Sequence, residues 1–361
     1  MPTSLGWLLA AGHCLEMHFL AIRLSSIGDI VHTLPAVAAL GETFPGAEID
    51  WAIEPRYAAL LEGNPYLRRV LTFDTLGWRR RLASAVTFEE VARSMVELRE
   101  LPFDAAIDFQ GLVKSALIAR LSRARERIGF SEYGLREPLA AAFYTERVPL
   151  REGVHVVEES LALVERLGVE RPARERWRFP LPQRAEDEGF IEQQLSRLQA
   201  REFMIINPGG GWMAKRWAPE NYAALIQRLE RELPWKILIT GSPGEEPLIE
   251  EILSRAHSSR AVLFRSTLTQ FIALARRANL FVGGDTGPLH LAAAVGTPIV
   301  AIYGPTDPAR NGPFSAADIA LSNLGPIDHT RRGAKQSYLP GISVEAVLEA
   351  VHQRRAGAHG T

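Results

Sequence analysis

The chain has 361 residues, of which 23% are charged and 47% hydrophobic, and its formal net charge is −1 at pH 7. This balance excludes a polybasic nucleic-acid binder and a chain with an acidic tail, and the length predicts two hydrophobic cores. The single cysteine, Cys14, excludes an internal disulfide framework and a cysteine-rich metal site. A low cysteine content is typical of the reducing cytoplasm, so we expect a cytoplasmic protein. From the charge balance, we expect that it binds no nucleic acid.

Residues 1–16 precede the first convincing strand and include an apolar stretch from Leu5 to Leu15. No Lys or Arg precedes that stretch, and it is too short to span a bilayer. We interpret residues 1–16 as an N-terminal extension or a misplaced start upstream of Met17. No apolar run elsewhere in the sequence is long enough to cross a membrane, so any membrane contact is predicted to be peripheral.

The first half alternates strand-like and helix-like segments. An apolar run over Phe19–Leu24 precedes a turn over Ser25–Asp29 and a helical pattern over Ile30–Leu40. Further strand-like runs, each followed by a helix-like stretch, cover Ile49–Ile53, Val70–Phe73 and Ala105–Asp108. This alternation predicts a mostly parallel sheet.

The second half repeats the pattern after a helix predicted over Val156–Leu167 and a proline-containing stretch over Gly168–Ala185. Predicted strands cover Phe203–Asn207, Lys236–Thr240, Val262–Phe264, Leu280–Gly283 and Ile299–Tyr303, with helices at Pro219–Glu232 and Ser343–Arg354. We therefore predict an extension at 1–16, a first domain at 17–175, a linker at 176–185, a second domain at 186–340, and a terminal helix and tail at 341–361.

The turn after the strand Leu280–Gly283 is the most informative feature of the chain. Gly283 and Gly284 can adopt positive φ, and Asp285 and Thr286 follow where a helix is capped. The free N–H groups of residues 287–290 would then suit a diphosphate. Because a carboxylate repels phosphate, Asp285 is better suited to sugar hydroxyls, and together these features predict a nucleotide-sugar site.

A second turn follows the strand that ends at Asn207. Gly210 and Gly211 permit a close approach of backbone to a ligand, and Lys215 can supply positive charge to a departing diphosphate. The alternative is a surface hairpin with a solvated lysine.

A third turn, after Thr240, carries Glu245 and Glu246. A carboxylate in this place can accept both hydroxyls of a ribose, as an acidic residue does in dinucleotide-binding folds. Spacing favours Glu246, and an acidic first helical turn favoured by the helix dipole is the alternative.

In the first half, Ser25-Ser26-Ile27-Gly28-Asp29 places a carboxylate after the first strand and directly before a helix. From the residues alone, Asp29 is suited to capping that helix and equally to taking a proton at the carboxyl edge of the sheet. The pattern leaves both roles open.

Three separated segments resemble the family 9 glycosyltransferases, the bacterial heptosyltransferases that build the inner core of lipopolysaccharide. They are residues 22–35, residues 108–115 with 136–139 and 155–158, and residues 285–308. The middle segments are most similar to the heptosyltransferase I subfamily, which adds the first heptose to Kdo-lipid A. The resemblance extends from about residue 17 to residue 340, with Gly210 and Gly211 standing where the family often has threonine or serine.

The resemblance implies a GT-B fold, with two Rossmann-like domains whose parallel sheets face each other across a cleft, and a terminal helix that packs back on the first domain. It implies inverting transfer of L-glycero-D-manno-heptose from ADP-heptose, with Asp29 as general base and Lys215 as the second catalytic residue. No metal or other cofactor is expected, since Asp104 and Asp108 are too far apart in sequence for an Asp-x-Asp pair. The implied donor-binding residues are Gly28, Gly210, Gly211, Lys215, Glu246, Asp285, Thr286, Gly287 and His290.

The acceptor implied by the resemblance is an anionic glycolipid, whose carboxylates and phosphates suit arginine and lysine. We predict that it is bound by Lys114, Arg136, Arg79 and Arg81. Residues 78–81 are also expected to rest against anionic head groups at the cytoplasmic face of the inner membrane. We expect a monomer.

The residues also fit other functions. They include a family 9 transferase for another core position or another nucleotide sugar, a GT-B nucleotide-sugar epimerase or phosphorylase, and a silent binding module. An NAD-dependent dehydrogenase is least favoured, because neither half has G-x-G-x-x-G followed by an acidic residue at the expected distance.

Overall fold

The computed structural model describes residues 17–81, 84–323 and 338–358, so the predicted extension at residues 1–16 lies outside the described residues. The chain divides into two compact units between Pro180 and Leu181. This division falls within the segment for which a linker is predicted, residues 176–185.

The first unit alternates strands and helices. Its strands are β1 His18–Ile22, β2 Glu48–Ile53, β3 Arg69–Thr72, β4 Ala105–Asp108, β5 Glu126–Phe130 and β6 Glu146–Val148. Its α-helices are α1 Ile27–Thr43, α2 Thr75–Arg80, α3 Ala85–Leu98, α4 Val113–Leu121 and α5 Val156–Val164. Short 3-10 helices lie at Pro55–Leu61, Pro138–Phe143, Glu165–Leu167 and Arg174–Arg176.

The second unit has the same alternation. Its strands are β7 Phe203–Asn207, β8 Lys236–Ile239, β9 Ala261–Leu263, β10 Leu280–Gly284, β11 Ile299–Tyr303 and β12 Ile319–Ser322. Its α-helices are α6 Ala185–Leu198, α7 Pro219–Glu232, α8 Glu246–Ala256, α9 Leu268–Arg277, α10 Gly287–Ala294, α11 Pro308–Asn311 and α12 Val344–Ala358. A 3-10 turn covers Met213–Lys215.

The two sheets share one strand order. The first runs β3-β2-β1-β4-β5-β6 and the second β9-β8-β7-β10-β11-β12, and the paired strands are parallel. In each sheet the order reverses between the first and fourth strands, where Ile22 pairs with Asp108 and Asn207 with Gly283. Ligands of open α/β sheets bind outside the carboxyl ends of the strands at such a switch point.

The predicted parallel sheets and the strands named from the sequence are confirmed. The strands that sequence analysis missed are β5, β6 and β12, which are short and lack a continuous apolar run. β5 begins with Glu126 and Arg127, and β6 and β12 pair on one side only, so partial exposure of these strands removes the usual apolar pattern.

Each sheet packs its apolar side chains into a core of its own. Leu20, Ile22 and Phe73 belong to the core of the first unit. In the second unit, Trp217 stacks edge-on against Tyr222, with ring centroids 5.0 Å apart, within a cluster that includes β8 and β10 side chains. These cores hold the strand ends rigidly, and so fix the loops that follow them.

The terminal helix α12 packs within the second unit against α7, β11 and β12. Val347 and Val351 are fully buried there, and Arg354 pairs with Asp318. Its packing on the first domain stays a prediction. Among the helices of the described residues, none combines the length and apolar character that crossing a bilayer requires.

Candidate active site

The loop after β1 holds Asp29 at the start of α1. Ser26 caps the helix, and its backbone N–H and hydroxyl donate to Asp29 Oδ2 at 3.0 and 2.8 Å. Gly28 is buried in the same turn. Oδ1 accepts from Arg23 Nη2 at 2.6 Å, and 45% of the side-chain surface of Asp29 remains accessible. Asp29 therefore caps the helix with one oxygen and presents the other beside a cation.

Partial burial of the Asp29 carboxylate raises its pKa, but the charge of Arg23 and the hydrogen bonds from Ser26 lower it by more. The pKa of Asp29 consequently lies below its usual value. The carboxylate is thus ionised at neutral pH, as a proton acceptor must be.

The turn after β4 is fixed by a buried carboxylate. Asp108 is fully buried, and its Oδ1 accepts from the backbone N–H groups of Gln110 and Gly111 at 2.9 and 3.1 Å. Its Oδ2 accepts from the Tyr144 hydroxyl at 2.7 Å. Burial raises the pKa of Asp108 despite these hydrogen bonds. Asp108 therefore fixes the shape of this turn.

Lys114 lies at the start of α4 beside a buried carboxylate. Its Nζ lies 3.7 Å from Glu54 Oε1 and donates to the Thr75 hydroxyl at 3.1 Å. Glu54 is only 2% exposed, so part of the lysine charge is needed to balance it. The role of Lys114 in acceptor binding stays a prediction, and this contact shows that its charge is already shared.

The predicted acceptor arginines lie on the surface of the first unit. Arg79 is exposed near the end of α2, and Arg136 is exposed in the loop after β5. Arg81 pairs with Asp74 and Glu90 at 3.4 and 3.1 Å. Arg79 and Arg136 are therefore better placed than Arg81 to meet an anion.

In the second unit, the loop after β7 is tied to the loop after β8 by Glu245. Its Oε1 accepts from the Gly210 N–H at 3.2 Å and lies 3.6 Å from Arg216 Nη2, and its Oε2 accepts from the Ser242 N–H at 2.8 Å. The backbone N–H of Gly210 is therefore already hydrogen-bonded to Glu245, whereas Gly211 is exposed.

Glu246 has a different environment from its neighbour. It opens α8, accepts from the Gly244 N–H at 2.7 Å, and remains partly exposed. Its pKa is lowered by hydrogen bonds from the backbone N–H groups of Glu246 itself and Gly244. Because Glu245 is engaged by the loop after β7 whereas Glu246 bonds within its own turn, Glu246 stays the residue predicted to bind a ribose.

Asp285 is the centre of a hydrogen-bond network at the end of β10. Its Oδ2 lies 2.5 Å from Lys215 Nζ and accepts from the Thr306 hydroxyl at 2.8 Å. Its Oδ1 accepts from Asn311 Nδ2 at 3.0 Å and lies 3.2 Å from His290 Nε2. The expectation that Asp285 binds sugar hydroxyls stays a prediction, because each of its oxygens already has two partners.

Burial raises the pKa of Asp285, but the hydrogen bond and charge of His290 and the charge of Lys215 lower it by more. The pKa of this carboxyl therefore lies well below its usual range. Lys215 also lies 4.8 Å above the ring of Trp212. The lysine is thus held between an anion and an aromatic face.

The helix α10 begins directly after this network. Thr286 precedes it and donates to the Gly284 carbonyl at 3.2 Å, and Gly287 is its first residue. His290 is buried and directed at Asp285, which locates it in the carboxylate network.

The glycines before α10 serve close packing. Neither Gly283 nor Gly284 has positive φ, so the conformational freedom of glycine is not used at these positions. A Cβ at Gly283 would lie 2.7 Å from the Asn207 carbonyl oxygen, and one at Gly284 would lie 3.2 Å from the Lys215 carbonyl oxygen. Because glycine has no Cβ, the loop that carries Lys215 can pack closely against the end of β10.

Sequence analysis missed four residues that complete these clusters: Arg23, Glu54, Thr306 and Asn311. Thr306 and Arg23 lie in segments 285–308 and 22–35, which resemble the family. The resemblance assigned no role to either residue. Within residues 17–81, 84–323 and 338–358, no group of three or more His, Cys, Asp or Glu side chains is arranged to hold a metal ion.

An open cleft of about 680 Å³ lies elsewhere, lined by Glu192, Leu195, Arg201 and Arg277 among others. It borders Phe203, the first residue of β7, and so lies at the opposite edge of the sheet from Lys215 and Asp285. Its volume therefore does not mark the chemical site.

Two α/β units, each with a parallel six-stranded sheet, are the architecture of the GT-B class. The family model described as glycosyltransferase family 9 (heptosyltransferase) matches residues 91–340. The chain belongs to this family and is a glycosyl-transfer enzyme.

The relatives and solved structures agree with this assignment. The chain is 31% identical over 342 residues to lipopolysaccharide heptosyltransferase 1 of Escherichia coli K12, covering 92% of this chain and 98% of the relative. The protein of the same name from Pseudomonas aeruginosa is 29% identical over 308 residues, covering 85% of this chain and 84% of the relative. The E. coli heptosyltransferase WaaC with ADP has a TM-score of 0.77 at 26% identity, covering 94% of this chain and 100% of that one. These similarities favour heptosyl transfer in lipopolysaccharide core biosynthesis over an epimerase or dehydrogenase.

Proposed function

We propose that the chain transfers L-glycero-D-manno-heptose from ADP-heptose to Kdo-lipid A with inversion at the anomeric carbon. The observation that carries the mechanism is the environment of Asp29. Its Oδ2 accepts two hydrogen bonds and its Oδ1 accepts one, from Arg23, among the described residues. Since a carboxylate has about four acceptor positions, Oδ1 can accept one further donor, the acceptor hydroxyl.

In the proposed step, the acceptor hydroxyl gives its proton to Asp29 as its oxygen bonds to the anomeric carbon of the heptose. The bond from that carbon to the β-phosphate oxygen breaks, and ADP leaves with the electron pair. A single displacement inverts the anomeric configuration and needs no covalent sugar–enzyme intermediate.

The donor is proposed to bind at the switch point of the second unit. Similarity supports ADP-heptose, since E. coli WaaC has been solved with ADP and with ADP-2-deoxy-2-fluoro heptose at 26% and 25% identity. Lys215 and the N-terminus of α10 would stabilise the negative charge of the departing diphosphate. They would supply the positive charge that a metal ion supplies in metal-dependent transferases. Glu246 would accept the ribose hydroxyls.

The acceptor is proposed to bind at the carboxyl edge of the first sheet. Arg79 and Arg136 are exposed there, and guanidinium groups pair with both carboxylate and phosphate. Lys114 would also attract the anionic acceptor, with a charge that Glu54 partly balances.

We also propose peripheral contact with the cytoplasmic face of the inner membrane, through an apolar stripe on α3. Phe88 and Val96 are 68% and 71% exposed, and with Ala92 they follow the four-residue spacing of one helix face. Exposed Arg79 and Arg80 on α2 precede this helix in the chain. An exposed apolar stripe along one helix face suits the surface of a membrane.

The first experiment is calorimetric titration of the whole protein with ADP, GDP and UDP, followed by a transfer assay from ADP-heptose to Kdo-lipid A. Preference for ADP together with transfer supports the proposal. Preference for another nucleotide points to the alternative donor, and transfer only to a heptosylated acceptor points to another core position. Unchanged turnover with EDTA tests the metal-independent mechanism, and light scattering tests the predicted monomer.

A further inference from the structure

Arg23 connects the first and fourth strands of the first unit at the switch point. It follows β1 directly, as Phe109 follows β4. One terminal nitrogen, Nη1, donates to the Phe109 carbonyl, and the other, Nη2, lies 2.6 Å from Asp29 Oδ1. The arginine side chain is 15% exposed, so its direction is set by these contacts rather than by solvent.

The turn after β4 is built to hold this arrangement. Gln110 Oε1 accepts from the Leu24 backbone N–H at 2.7 Å, and the Phe109 N–H donates to the Ile22 carbonyl at 3.1 Å. Asp108 fixes the turn through its bonds to Gln110 and Gly111. The segment 108–111, to which the proposed reaction gives no direct role, thus clamps the residues on both sides of Arg23.

We propose that Arg23 is a positioning residue, which orients Asp29 so that one lone pair of Oδ1 faces the acceptor hydroxyl. This inference rests on the proposed role of Asp29 as the base. Ser26 holds Oδ2 and Arg23 occupies one position on Oδ1, so rotation of the carboxylate would break three contacts together. Since the position that remains is on Oδ1, the pair defines the direction from which the acceptor approaches.

The charge of Arg23 has a second effect. It favours the ionised form of the carboxyl and contributes to the lowered pKa of Asp29. Loss of the guanidinium must therefore raise the pKa of the base, and activity must begin to fall at a higher pH as the solution is acidified.

The test is the pH dependence of kcat/KM for Kdo-lipid A at saturating ADP-heptose, with the full-length protein. Arg23→Gln should move the acidic limb to higher pH by about 1 unit or more. It should lower kcat by about 10- to 100-fold through misorientation. Arg23→Lys keeps the charge and should leave the acidic limb near its original position. Arg125→Gln, which breaks a surface pair with Asp104, is the matched control and should change neither quantity.

A double-mutant cycle separates orientation from general structural damage. In an Asp29→Asn background, Arg23→Gln should cause no further loss of kcat, because its effect passes through Asp29. Unchanged ADP affinity and a cooperative unfolding transition verify that the variants are folded.

Two results would overturn the inference: an Arg23→Gln enzyme with an unmoved acidic limb and normal kcat, or losses that multiply in the double variant. If Asp29→Asn alone remains active, the base assignment itself fails. Loss of activity in Asp29→Asn with no effect of Arg23→Gln rejects only the role of Arg23.

Discussion

The ammonium group of Lys215 lies 2.5 Å from Asp285 Oδ2 in the second unit. The two side chains are 13% and 6% exposed, so the pair is largely withdrawn from solvent. Thr306 and Asn311 hold the carboxylate in place. In the proposed complex, the diphosphate would share the lysine with Asp285, and this network positions Lys215 before the donor binds.

Lys215→Ala should weaken ADP binding by about tenfold or more, because a hydrogen bond to a charged group is lost. Affinity for inorganic pyrophosphate should fall in parallel. Lys236→Ala is the matched control, since Lys236 begins β8 at the opposite edge of the same sheet. Isothermal titration measures all three proteins, and equal loss in both variants would contradict the assignment.

Glu246→Ala should weaken ADP binding and leave pyrophosphate affinity unchanged, because its proposed partner is the ribose. The control Glu250→Ala removes an exposed carboxylate further along α8. Competition of ADP and pyrophosphate for each variant gives the measurement. A parallel loss of both affinities would place Glu246 at the phosphates instead.

Asp29→Asn should lower kcat by about 10²- to 10⁴-fold, which is the usual contribution of a general base. ADP affinity should be largely retained, because Lys215 and Glu246, which are proposed to hold the nucleotide, lie in the second unit. Ser343→Ala serves as a control for helix capping, since its hydroxyl accepts from the Ala346 N–H at 3.1 Å at the start of α12. Comparable losses of kcat in the two variants would assign Asp29 a capping role alone.

Asp285 should make stability depend on pH in a definite direction. Its pKa is lower in the folded than in the unfolded chain, so its contribution is fully present above the unfolded pKa of about 3.9 and is lost as pH falls below it. In urea titrations, wild type and Asp285→Asn should differ by a constant amount at neutral pH, and the difference should narrow below about pH 4. A difference that grows on acidification would mean that folding raises the pKa of Asp285 instead of lowering it. Glu250→Gln provides the comparison for an exposed carboxylate.

The apolar stripe on α3 should support membrane binding. Phe88→Ser and Val96→Ser together should reduce co-sedimentation with vesicles that contain anionic phospholipid, while transfer to detergent-dispersed acceptor remains unchanged. Tyr133→Ser replaces a side chain that is 80% exposed in a loop outside α3, and it controls for loss of exposed apolar surface. Equal vesicle binding by the double variant and wild type would reject the stripe as the contact.

Local sequence was sufficient to predict the parallel sheets and the loops that carry polar residues. Asp285 and Lys215 were each predicted from their own turn, because a strand end followed by a helix is visible in a short window. Their mutual contact was not, since 70 positions separate them in sequence. Thr306 and Asn311 reach the same carboxylate from later loops and were missed for the same reason.

Side-chain direction was the other limit. Glu245 and Glu246 are neighbours with the same chemistry, yet Glu245 ties two loops together and Glu246 accepts from the nearby Gly244 N–H. Lys114 is predicted to bind the acceptor, but its contact with Glu54 is not predicted, because the burial of a residue 60 positions earlier leaves no mark on the local pattern. Such distinctions depend on tertiary packing.

The shared strand order gives each unit a switch point of its own, with Arg23 and Asp29 at one and Lys215 and Asp285 at the other. Under the proposal that the first unit binds the acceptor, substitutions after β1–β4 should change acceptor choice and leave the residues proposed to hold the nucleotide unchanged. A chimera that takes its first unit from a relative with another acceptor should inherit that acceptor and keep its preference for ADP. With this architecture, the preferences for acceptor and for donor can evolve separately.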